Sequence, residues 1–218
     1  MYSCKSDTIS PADDDDIAMS VTCFPEKQVN IAVMYGGTDD VIDYAEIFLG
    51  RFKSAKSQTA FHPMILPMVY VELERKRLLS LLEEKTFELE QNILDAEKRL
   101  WDQESVKRKP EVSDSSQMAK DCETTKVWMG VSSLKNGLES LREQILSMSE
   151  HCRVLSKDDS WNIIGKNLSH SIDQEANDKI IARLQEMSEE LNTKVRQCET
   201  VLGGTLLAGQ LVCHTNME

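Results

Sequence analysis

The sequence predicts a mainly α-helical protein: three long antiparallel helices forming a coiled-coil-like bundle, with a small N-terminal strand and helix and a disordered N-terminal tail. Three observations carry that prediction. From Val127 to Leu155 apolar residues recur at steps of four and three, namely Val127, Val131, Leu134, Leu138, Leu141, Ile145, Met148, Cys152 and Leu155. A helix with that spacing has one narrow apolar seam and must find partner helices. Two further seams flank it, Leu82, Leu89, Ile93 and Leu100 before it and Ile180, Leu184, Met187, Leu191 and Val195 after it. Aromatic residues are only 6% of the chain, as suits bundles built on aliphatic side chains.

The expected organisation is an acidic disordered tail over residues 1–27, a strand and helix over 28–60, the bundle over 61–212 and a short tail over 213–218. The first segment holds Asp13–Asp16 among Ser, Thr and Pro, a composition that buries too little apolar surface to order itself. Val29-Asn30-Ile31-Ala32-Val33-Met34-Tyr35 alternates loosely, is rich in β-branched residues and stops at Gly36-Gly37, the marks of a strand. A strand needs partners, so either the tail supplies one or a larger sheet has been lost. Thr38, Asp39 and Asp40 offer capping oxygens to a helix over about 41–52.

The first long helix is expected over about 63–103, because Pro63 and Pro67 suit a first helical turn and neither Gly nor Pro follows. Beside its seam, Phe87, Leu94 and Trp101 form a second stripe, which predicts burial against two neighbours. Glu72 and Lys76 are expected as an exposed i,i+4 pair. Polar residues around Pro110 predict a connection, then the second helix over about 123–156. The third runs over about 171–202 or beyond. Connections of this length allow an up-down-up arrangement within one chain or the exchange of a helix with a second copy.

Composition excludes several functions. The 37 acidic and 25 basic residues leave a net charge of −12, which repels phosphate backbones, so no nucleic-acid partner is expected. No stretch reaches the roughly 18 apolar residues of a membrane helix. The longest, Val201–Val212, is interrupted by glycines and Gln210. The N-terminus lacks the apolar core of a secretory signal, and the six cysteines show no CxxC spacing or disulfide framework, so a cytoplasmic location is expected. The four histidines are dispersed, with no HExxH and no Cys/His cluster, and GxxxxGK[ST], GxGxxG and GxSxG are all missing. No catalytic, cofactor-binding or metal-binding residue can be named, and an enzyme is not expected.

The segment His62-Pro63-Met64-Ile65-Leu66-Pro67, continuing to Glu72-Leu73-Glu74-Arg75, resembles the His-Pro-Met/Leu-x-Leu-Pro and Glu-Leu/Ile-Glu-Arg motif of filamentous-fungal proteins related to the CorA-like divalent metal transporters. The resemblance implies a cytosolic helical domain normally followed by a pair of membrane helices, and it makes Mg²⁺ a possible ion by family only. The chain has neither such a hairpin nor the Gly-Met-Asn pore signature, so it is not transport-competent by itself. Two functions follow as expectations. One is a non-enzymatic interaction or oligomerisation module that self-associates or binds a protein partner through its helices. The other is a regulatory Mg²⁺-sensing domain of a membrane protein.

Overall fold

The computed structural model describes residues 1–6, 16–27, 29–53, 62–105, 114–157 and 174–215. The chain is mainly helical, with strands β1 (Tyr2–Lys5), β2 (Ala18–Phe24) and β3 (Val29–Tyr35), followed by helices α1 (Asp39–Lys53), α2 (Ile65–Ser105), α3 (Asp114–Lys157) and α4 (Gln174–Thr215). The strands form one antiparallel sheet in the order β1-β2-β3. Its register pairs Cys4 with Met19 and Val21 with Ala32, so Cys4, Met19 and Val21 fall on one face and are buried there.

Two segments of the stretch expected as a disordered tail over 1–27 are strands, Tyr2–Lys5 and Ala18–Phe24, while its residues 7–15 lie outside the described residues. Tyr2–Lys5 and Ala18–Phe24 supply the partners that β3 requires, so of the two possibilities the tail is the source. Their period-two pattern is only four and seven residues long, and in the sequence it is overshadowed by Asp13–Asp16, whose first three residues lie outside the described ones. The turn after β3 depends on glycine. Gly36 has φ 71°, and a Cβ there would stand 2.1 Å from the Asp16 carbonyl oxygen, so the chain passes too closely for any side chain.

The helices differ from expectation mainly at their ends. α3 begins at Asp114, nine residues before the expected start, and α4 continues to Thr215, into the stretch read as a tail. The seams face one another. Leu82, Leu89, Val127, Val131, Leu134, Leu138, Leu141, Ile145, Met148, Ile180, Leu184, Met187, Leu191 and Val195 are all buried, with Cys152, Leu155 and Cys198 continuing the rows. Ile93 is partly buried against the same core, and the Leu100 and Trp101 side chains lie outside the described residues. α3 packs along both α2 and α4, which makes it the middle of the bundle. The stripe beside the α2 seam is not covered. Among the described residues, Phe87 and Leu94 are 62% and 47% exposed, on a side of α2 away from the buried Leu82 and Leu89. Among the described residues, no helix is long and apolar enough to cross a membrane.

Candidate functional site

The densest grouping of buried polar side chains lies at the start of α2, within the segment that carries the His-Pro and Glu-x-Glu-Arg motif. From Met64 to Glu74 nearly every residue is buried, including Met64, Ile65, Met68, Val69, Tyr70, Val71 and Leu73. A helix buried all round must have neighbours on all sides. Here they are the sheet, α1, α3 and α4.

His62 joins three of these elements. Its backbone carbonyl accepts a hydrogen bond from the Asn30 side-chain amide on β3 at 3.2 Å, and its Nδ1 accepts one from the Met64 backbone N–H at 3.2 Å. The second bond satisfies one of the free donors at the start of α2, the role usually taken by an N-cap oxygen. With Nδ1 accepting, the neutral ring carries its proton on Nε2, which donates to Asn177 Oδ1 on α4 at 3.2 Å. Burial pushes the imidazole pKa down to about 4, with nearby His151 acting in the same direction against the Asn177 hydrogen bond. His62 is thus a neutral fastener of β3, α2 and α4. Both ring nitrogens are engaged, so neither is free to serve a substrate as a base.

Two carboxylates on α2 extend the fastening in opposite directions. Positions 72 and 74 differ by about 200° around a helix, so the two side chains leave opposite faces. Glu72 is buried and accepts from Arg75 at 2.9 Å and from the Arg183 Nε of α4 at 2.9 Å. Arg75 reaches on to Glu190 at 2.9 Å, and Arg183 to Glu186 at 2.6 Å, giving a chain of alternating charge between α2 and α4. Glu74 takes a two-pronged bond from Arg77 at 2.9 and 2.8 Å, and Arg77 also pairs with Asp16, just before β2, at 3.1 Å. The expectation that Glu72 forms an exposed pair with Lys76 is therefore corrected: Glu72 is 3% exposed and its partners are Arg75 and Arg183. Lys76 instead lies over the Tyr44 ring of α1, 4.9 Å from its centre.

Around this joint, α3 makes its own links to the sheet. Tyr2 stacks on His151 with ring centres 6.0 Å apart, and Gln144 donates to the Lys5 carbonyl at 3.2 Å. The thiols of Cys4 and Cys152 are pushed up to about 12 and about 11 by burial, which suppresses the reactive thiolate. Among the described residues, no group of three His, Cys, Asp or Glu side chains could hold a metal ion. Among the described residues, the joint is a charge-compensated set of contacts between elements.

Sequence reasoning singled out the aliphatic seam and missed the polar joint. Glu72 and Arg183 are separated by 111 positions, and no local spacing announces such a pair. The one available signal was the unbroken apolar run around Pro67, which is inconsistent with a helix having a solvent face. Compared with protein-family models, curated proteins and solved structures, the chain matches none.

Proposed function

We propose that this chain is a non-enzymatic helical module for protein interaction and oligomerisation, of the kind implied by the resemblance of His62–Arg77 to CorA-like transporter relatives. The observation that carries the reading is the exposed pair Phe87 and Leu94, one heptad apart on the outer side of α2. Paired apolar residues at that spacing on an otherwise polar helix face are what a partner helix recognises. Met129, Leu146 and Val154 add exposed apolar side chains on α3. The polar chemistry of the fold supports the same reading, since its buried carboxylates and His62 are engaged in holding elements together. The buried, weakly acidic thiols of Cys4, Cys152 and Cys198 suit a reducing cytoplasm.

Analytical ultracentrifugation of the purified chain, together with pull-down using immobilised protein, tests the reading. Self-association or stoichiometric capture of a protein that is reduced by Phe87→Lys with Leu94→Lys supports it. A monomer at all concentrations that captures nothing contradicts it.

A further inference from the structure

Beside its buried row, α2 carries a second stripe at the same four-three step: Glu83, Phe87, Glu90 and Leu94. At about 100° per residue, these four side chains leave the helix within about 60° of one another. All four are exposed, in a stretch, 65–95, that lies wholly among the described residues. The stripe alternates acid with large apolar side chain, unlike the buried rows of α3 and α4, which are apolar at each step. Its acids are also left open. Glu84 and Glu88 share Lys85, whereas Glu83 and Glu90 have no ion-pair partner among the described residues.

We propose that this stripe docks a basic amphipathic helix of another protein, one that alternates Lys or Arg with large apolar side chains at the same step. The proposal rests on the reading of the chain as an interaction module and gives that module its partner. The charge pattern selects the occupant. A second copy of the stripe, in either direction, sets Glu83 and Glu90 against carboxylates or apolar side chains, and a carboxylate taken out of water without a base is strongly unfavourable. A wholly apolar helix meets the same penalty. Phosphate-bearing surfaces, lipid or nucleic acid, are repelled by these acids and by the net charge of −12. A helix with bases at alternate positions pairs both carboxylates while Phe87 and Leu94 pack between its apolar side chains, as flanking charges select partners in coiled coils. Phe87 is the anchor, because an aromatic ring covers the most area.

The test uses the full chain and two synthetic helical peptides, identical except that one alternates Lys with Leu along a four-three stripe and the other Glu with Leu. Binding is followed by fluorescence anisotropy, and circular dichroism checks the folding of each variant. The Lys peptide should bind the wild type and weaken in high salt. It should lose about tenfold or more in affinity with Phe87→Ala and Leu94→Ala together. Glu83→Lys with Glu90→Lys should reverse the preference, so that the Glu peptide binds and the Lys peptide does not. The two double variants are independent, so one that fails to fold leaves the other to decide. Binding of the Lys peptide that ignores Phe87 and Leu94, a charge-reversed variant that keeps the wild-type preference, or no binding of either peptide overturns the proposal. Self-association of the wild type that Phe87→Lys with Leu94→Lys abolishes makes a second copy the occupant; it overturns the proposal too, while sustaining the broader reading of an interaction module.

Discussion

The two ends of α2 have the same secondary structure and opposite surroundings. In its first turns Tyr70, Val71, Leu78 and Glu74 are almost completely covered, enclosed by the sheet and the other helices. Two turns beyond Leu78 the pattern changes. Leu82 and Leu89 still face α3, but Phe87 and Leu94 look outward. One end is a joint where the sheet and the other helices meet, and the other, among the described residues, leaves its outer side exposed. The comparison teaches that burial along this helix is set by how many elements reach it, since the local sequence is helical throughout.

The strongest way to break the comparison is to place the same charge at both ends. Leu78→Asp buries an unpaired carboxylate in the joint and should unfold the domain cooperatively, whereas Leu94→Asp should keep its circular dichroism and melting temperature. Similar losses for the two variants would remove the distinction.

A second effect comes from pH. His62 has an ordinary pKa of 6.5 when the chain is unfolded and about 4 when folded. As pH falls below 6.5 the unfolded state takes up the proton first, so stability declines through the window from 6.5 to about 4 and levels off below it. At about 1.4 kcal/mol per unit, the full effect is on the order of 3 kcal/mol. Urea unfolding followed from pH 7 to pH 4 should show the slope in the wild type and a flatter profile in His62→Gln. Equal slopes would mean that other groups set the acid sensitivity.

The ion-pair chain should matter somewhat less, because Arg75 and Arg183 are 20% and 37% exposed and are partly stabilised by water when Glu72 is removed. Glu72→Ala should cost about 2 kcal/mol in chemical denaturation, below the loss expected for deleting a fully desolvated pair. The smallest effects belong to the exposed stripe of α2, where Phe87→Ala and Leu94→Ala should each shift monomer stability by no more than about 0.5 kcal/mol. A larger shift would show that these side chains are covered.

These contrasts also explain what the sequence could reveal. The seams were legible because a packed helix repeats its apolar residues with its own period, and positions from Val127 to Val195 that fit the period are buried. β3 was legible for the corresponding reason, a β-branched run closed by glycines. β1 and β2 were not, since a short half-polar strand next to an aspartate run has no pattern apart from its partner. The polar joint was hidden more deeply. Glu72 looked like one half of a surface pair because Lys76 is its neighbour in sequence, while Arg183 becomes its neighbour only after folding. The second stripe of α2 misled in the opposite direction, as apolar periodicity alone does not distinguish a core face from a face left exposed.

Native-state hydrogen exchange along α2 tests the central claim most directly. If the first turns are the joint of the molecule, amides from about Val69 to Leu78 should exchange only through global unfolding, and those beyond about Leu94 through far cheaper local opening. Uniform protection along the helix, or weaker protection in the first turns than at the far end, would contradict the account.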